Sequence, residues 1–270
     1  MEYGGAANLM GVPAGRYDGH VHVFDLAQPM VDGRRYTPSR AALLGSLDVL
    51  LRAHGMDGAL LVQPSFLGED NAYLLQALAA ARETSDLRYR GVAMTSPSTP
   101  AGTLQQLTDG GVVGMRLNLV GAPLPDIDSR PWRAHLQALS RMGWHVEVHL
   151  EGERLAAFLP ALVAQVETVV VDHFGLPAPG WSDPDVALAP LLDTPPDRLM
   201  VKLSAPYRFA PDTPSAALAP AVAPLAARLA RHLGPRRLLW GSDWPWTRFE
   251  AGRSYRETLS WESLWMPQSV

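Results

Sequence analysis

The sequence predicts an α/β fold, a (β/α)8 TIM barrel formed as one domain over residues 1–270, and three observations support it. Eight short apolar or β-branched runs alternate with longer segments of helical character, the pattern of parallel strands joined by right-handed crossovers. The length of 270 residues is close to the roughly 250 that such a barrel needs. Polar side chains gather where the strand-like runs end, which is where such a barrel carries its chemistry. An open doubly wound sheet is the second architecture this alternation allows. It does not require polar groups from so many strands to meet at one point.

The expected strands are 17–24, 59–62, 89–94, 112–117, 145–150, 168–171, 199–203 and 238–240. His20 and His22 end the first, Gln63 and Ser65 the second, and Arg116 and Asn118 the fourth. His149 ends the fifth, His173 the sixth, Lys202 and Ser204 the seventh, and Asp243 follows the eighth. The expected helices are 39–54, 71–84, 101–109, 132–142, 153–165, 185–192 and 215–233. Apolar residues recur there at three- and four-residue spacing, as Leu43, Leu47, Leu50 and Leu51 do in the first. Gly55, Gly110, Gly143 and Gly234 each stand just past a helix, where a C-cap favours positive φ. After the eighth strand only 244–270 remains, and 254–265 leaves room for one short helix. A shortened final helix is expected, or a homo-oligomer in which a second copy covers that flank.

Composition removes several function classes. Hydrophobic residues make up 47% and charged residues 19%, enough apolar surface for a sizeable core. A net charge of −4 supplies no basic field for nucleic acid. Cysteine is absent, which excludes disulfides, thiolate-bound zinc and a thiol nucleophile. The longest apolar run, 216–227, is broken by Pro220 and Pro224 and is too short to span a membrane. The first twenty residues lack a basic region followed by an apolar stretch, so a cytoplasmic protein without a signal peptide is expected.

His20-Val21-His22 is the sharpest local signal, because residues two apart on a strand project from the same face and can meet one ion or one substrate. Asp243 follows the last strand between Gly241 and Pro245, placed to act as base or ligand, although Asp is also a common turn cap. His173, in Val171-Asp172-His173-Phe174-Gly175, also stands at a strand end.

Together with Asp18-Gly19-His20-Val21-His22-Val23-Phe24, Gly114-Met115-Arg116-Leu117-Asn118, Lys202-Leu203-Ser204 and Trp240-Gly241-Ser242-Asp243-Trp244-Pro245, these segments resemble the amidohydrolase superfamily over nearly the whole chain. Within it the likeness is to the amidohydrolase-2 branch of TIM-barrel hydrolases, and most of all to its lactone-hydrolase group. The resemblance implies ring-opening hydrolysis of a lactone, with His20, His22, His173 and Asp243 as the catalytic set. Asp243 would be the general base towards water, and the three histidines would stabilise the oxyanion. They would act directly as donors or by holding, with Asp243, one divalent ion such as zinc or manganese. One ion and none both remain open. A bridged pair of ions has no lysine candidate on the fourth strand.

Arg116, Lys202 and Arg208 are the candidates for a cationic rim around a carboxylated small-molecule substrate, because a guanidinium fork matches a carboxylate. Gln63, Ser65 and Tyr207 are candidate orienting partners, and His149 a candidate pocket wall with Glu147 facing the same interior. His135 is expected on an exposed helix face, and Trp240, Trp244, Trp246 and Phe249 as packing. Two other functions compete. One is a metal-dependent decarboxylase of the same branch, and the other a non-catalytic ligand-binding barrel.

Overall fold

A computed structural model describes residues 4–266; residues 1–3, and 267–270 of the expected tail, lie outside the described part. Eight strands form one sheet in sequential order: β1 Tyr17–Val21, β2 Gly58–Val62, β3 Arg88–Ala93, β4 Val112–Asn118, β5 His145–His149, β6 Val169–Val171, β7 Leu199–Leu203 and β8 Leu238–Trp240. All seven consecutive pairs are parallel. The ring closes just beyond β8, where the His22 amide donates to the Trp244 carbonyl (2.8 Å) and the Asp243 amide to the His20 carbonyl (2.9 Å). That closure places His20, His22 and Asp243 on one short ladder.

The helices are α1 Gly4–Met10, α2 Leu44–Ala53, α3 Ala72–Thr84, α4 Ala101–Asp109, α5 Arg130–Arg141, α6 Gly152–Val163, α7 Pro184–Ala187, α8 Ala189–Leu192, α9 Ser215–Leu233 and α10 Tyr255–Trp265. Departures from expectation have local causes. The first strand ends at Val21 and α2 starts only at Leu44, because Phe24 and Ala42 pair with each other in antiparallel fashion. The helix expected at 185–192 breaks into α7 and α8 around Leu188, just before Pro190, which has no amide hydrogen to continue the ladder. Gly55, Gly143 and Gly234 do have positive φ, but Gly110 is right-handed (φ −71) and Gly111 makes the left-handed turn (φ +92). His135 is buried rather than exposed, its Nε2 3.0 Å from Thr95 Oγ1.

The final flank is covered within the chain. Helix α10 runs 11 residues and buries Tyr255, Trp261 and Trp265; Trp265 Nε1 donates to the Ala219 carbonyl of α9 at 3.0 Å. Large aromatic side chains let a short helix cover what a longer one would. At the opposite end, Ala6, Ala7 and Met10 of α1 pack with Tyr17, Leu60, Val170 and Met200 to close the bottom of the barrel.

Strands β1 and β8 approach so closely that a Cβ added at Gly241 would lie 2.8 Å from His20 Cβ and 3.1 Å from its amide nitrogen. Gly241→Ala is therefore expected to force this seam apart and cost about 1–3 kcal/mol, read by denaturant unfolding. A wild-type midpoint would show that the seam is loose.

Candidate active site

His20 and His22 project from the end of β1 into the barrel mouth, and His173 reaches in from just after β6. The ring centroids are 4.9 Å apart for His20 and His22, 4.8 Å for His20 and His173, and 5.0 Å for His149 and His173. Asp243 faces them with one oxygen. Its Oδ1 lies 3.7 Å from Nε2 of His20, 3.7 Å from Nε2 of His22 and 3.9 Å from Nε2 of His173. Its Oδ2 is spent elsewhere, accepting from the Tyr207 hydroxyl (2.7 Å) and from Arg208 Nε (3.1 Å) and Nη2 (2.6 Å). The carboxylate is thus anchored by one oxygen and offers the other.

The backbone around these groups is held in uncommon conformations. His173, Phe174 and Leu176 after β6, Ala205 after β7, and Asp243, Trp246 and Arg248 after β8 all have positive φ without being glycine. Such conformations cost energy and gather at functional sites.

Burial shapes the electrostatics. It lowers His20 to about 4, with the Lys202 charge adding to the effect, and lowers His149 and His173 well below the ordinary histidine value. These rings are neutral at pH 7. Burial pushes Asp243 up, but the permanent charge of Arg208 outweighs it and holds the carboxyl well below its ordinary value. Burial likewise opposes ionisation of Asp172, and His20, Arg116 and Lys202 overcome it. Because His20 is neutral, we attribute that effect to the two permanent cations.

Arg116 lines the mouth, and its Nε and Nη2 bind Asp172 Oδ2 at 3.1 and 2.9 Å. His149 and Ser65 also line the mouth. Arg208 is no solvated loop charge, since it clamps Asp243 and packs over Phe249. Two residues are held otherwise than expected. Gln63 gives its amide nitrogen to the carbonyls of Gly68 (3.2 Å) and Asp70 (2.7 Å) and braces that loop. Lys202 is not on a rim but fully buried inside the barrel, bonded to Glu147 and His20. Residues the sequence reading passed over include Asp172, Arg35, Tyr36 and Arg248, the last three lining the mouth. Asp172 had a signal, a carboxylate beside a strand-end histidine. Arg35 lies in a loop without periodicity and had none. Asp18 is a hidden brace: Oδ1 accepts from the amides of His20 (3.1 Å) and Ser242 (2.9 Å), and Oδ2 from the Tyr255 hydroxyl (3.0 Å).

The donor set fits one divalent ion. His20, His22 and Asp243 offer ligand atoms within 4.8 Å of one another, and His20 Nε2, His173 Nε2 and Asp243 Oδ1 are buried without a hydrogen-bond partner. Imidazoles with one carboxylate suit zinc or manganese. His22 has the bonding of a ligand, its Nδ1 2.8 Å from the Val62 carbonyl and its Nε2 turned into the site. His20 differs, because an ammonium stands 3.1 Å from its Nδ1.

An eight-stranded parallel barrel with histidines from β1 and β6 and an aspartate after β8 at its C-terminal mouth defines a barrel hydrolase of the amidohydrolase type. The chain belongs to the amidohydrolase family, which it matches over residues 17–265. It is 33% identical to a 2-pyrone-4,6-dicarboxylate hydrolase of Comamonas testosteroni, over 87% of this chain and 78% of that protein. It is 27% identical to a 4-sulfomuconolactone hydrolase of Hydrogenophaga intermedia, over 87% of this chain and 76% of that protein. A solved structure from Acinetobacter baumannii, a probable 2-pyrone-4,6-dicarboxylic acid hydrolase with citric acid bound, superposes with a TM-score of 0.84 at 30% identity, covering 92% of this chain and 91% of that one.

Proposed function

We propose that the protein hydrolyses a lactone that carries carboxylate groups, with Asp243 as the base towards water. The reading rests on Asp243 itself, anchored through Oδ2 and presenting an unpartnered Oδ1 to three imidazoles. Oδ1 takes a proton from water, and the hydroxide adds to the lactone carbonyl carbon. The oxyanion is held by imidazole N–H groups. The ring C–O bond then breaks, and the leaving oxygen takes the proton back from Asp243, giving a hydroxy acid. Because Arg208 makes Asp243 a weak base, the water or the carbonyl needs further polarisation. His22 and Asp243, which belong to one group of converging ligand atoms, would hold a divalent ion, which would supply that Lewis acidity when bound.

The charge of the mouth selects the substrate class. Arg35, Arg116, Arg208 and Arg248 all line it. Arg116 and Arg208 are matched by Asp172 and Asp243, whereas Arg35 and Arg248 form no carboxylate ion pair among the described residues. Arg35 hydrogen-bonds Asn118 Oδ1 at 2.7 Å, and burial together with the charges of Arg116, Arg248 and Arg208 lowers its pKa. Unmatched guanidiniums favour an acidic substrate over a neutral sugar lactone. The two hydrolases named above, and the citric acid in the Acinetobacter structure, support this class. A larger cavity of about 510 Å³ between Gly152 and Pro190 is lined by none of the convergent groups.

Initial rates of proton release from carboxylated and neutral lactones test the reading, each measured with and without chelator. Carboxylated rings are expected to be opened and neutral ones slowly or not at all. A preference for neutral lactones would overturn the assignment. Loss of activity with chelator and its return on adding zinc or manganese would show that the ion takes part. Arg248→Met is expected to raise KM for a carboxylated lactone about 10–100-fold, the worth of one charge-assisted hydrogen bond, with kcat little changed. An unchanged KM would remove Arg248 from substrate recognition.

A further inference from the structure

The chemistry above leaves one buried ion pair unused. Lys202 on β7 and Glu147 on β5 are fully buried inside the barrel, where branched aliphatic side chains are the usual filling. Charges there are expensive to desolvate, so a role beyond packing has to be sought. Lys202 Nζ meets Glu147 Oε1 in a short hydrogen bond, His20 Nδ1 at 3.1 Å and Asp172 Oδ1 at 3.6 Å.

An ammonium has hydrogens to give and no lone pair to accept with. Asp172 Oδ1 also stands 3.3 Å from Nδ1 but makes no hydrogen bond there, so the nearer ammonium sets Nδ1 as the acceptor and the single hydrogen of the neutral ring sits on Nε2. That Nε2 is the atom buried without a partner and turned towards Asp243. Two positions along the same strand, the opposite holds. His22 Nδ1 faces the Val62 carbonyl, which can only accept, so its hydrogen is on Nδ1 and its Nε2 presents a lone pair.

We propose that Lys202, steadied by Glu147, is a positioning residue that sets His20 in the Nε2–H tautomer, so that the two histidines of His20-Val21-His22 do opposite work: His20 donates to the substrate's carbonyl oxygen, and His22 accepts. Lys202 touches no substrate and acts through His20. The identity of the acceptor rests on the hydrolysis reading; the tautomer does not.

Long-range nitrogen–proton NMR of the histidine rings at neutral pH tests this in the full chain, with His20 assigned by loss of its signals in His20→Gln. Wild type is expected to show a protonated Nε2 and an unprotonated Nδ1 for His20, and the reverse for His22. Lys202→Met takes the cation from buried Glu147, leaving it His145 Nε2 at 3.4 Å, and risks misfolding, so Lys202→Met/Glu147→Gln is made beside it. In the folded double variant Asp172 Oδ1, at 3.3 Å, remains as an acceptor for His20 Nδ1. The hydrogen is expected to move to Nδ1, and kcat on a carboxylated lactone to fall about 10²–10³-fold, the cost of losing one oxyanion donor, with KM within about threefold. A His20 hydrogen on Nδ1 in wild type overturns the proposal outright. So does a double variant that keeps the Nε2–H tautomer, or one that changes tautomer at wild-type kcat. Should no lactone be opened by any form, the hydrolysis reading fails while the NMR still decides the tautomer.

Discussion

Asp243→Asn is expected to lower kcat/KM on a carboxylated lactone by about 10²–10⁴, the usual worth of a positioned general base. The substitution is nearly isosteric. An amide oxygen can still accept from Tyr207 and Arg208, as Oδ2 does now, which turns the amide NH2 into the place of Oδ1. The anchor survives and the base does not. Arg208 would be left without its counter-ion, but it lies at the mouth with some exposure, so the cost to stability is small beside the loss of rate. Steady-state rates together with a melting curve make the check. A folded variant with a wild-type rate would mean that another group takes the proton.

Arg208→Met is expected to act through the same carboxylate, and pH exposes its effect. Burial alone would push the Asp243 carboxyl up, and Arg208 is the largest influence holding it down. A base works only when ionised. With Arg208 present, Asp243 stays ionised to below the ordinary value of 3.8, so it imposes no acid limb on the rate near neutral pH. Without Arg208 the carboxyl rises, and the rate should fall as pH drops through that raised value. Stability follows the same sign. A depressed carboxyl adds stability that is present above its unfolded pKa and is lost as pH falls through the folded one. The variant should lack that contribution. A drop of about 10–100-fold in kcat/KM at neutral pH is expected from the lost charge-assisted bonds. A pH profile identical to wild type would show that Asp243 does not set the acid limb.

The parts of this site that were legible in the sequence depend on local rules. Strand alternation put His20 and His22 on one face, and the turn residues around Asp243 marked the end of the last strand. Strands β7 and β8 and helix α9 run over their expected residues because their apolar runs have sharp ends. What escaped depends on contacts between distant segments. Gln63 sits at a strand end like the candidate site residues, and only the course of the loop after it shows that its amide nitrogen is taken by Gly68 and Asp70. The charge of Lys202 suggests a rim position, whereas its parity with Met200 and Ser204 points into the barrel, where it lies buried. Asp172 stood in view beside His173. Its task, to hold Arg116, appears only when β4 and β6 are brought together across β5.

The central claim is that water is added across a lactone bond. It is tested most directly by consuming a carboxylated lactone in water labelled with heavy oxygen while protons are counted. The account predicts one labelled oxygen in the new carboxylate and one proton released per ring opened, with neither seen in Asp243→Asn. Consumption without label in the product, or with release of carbon dioxide, would contradict it.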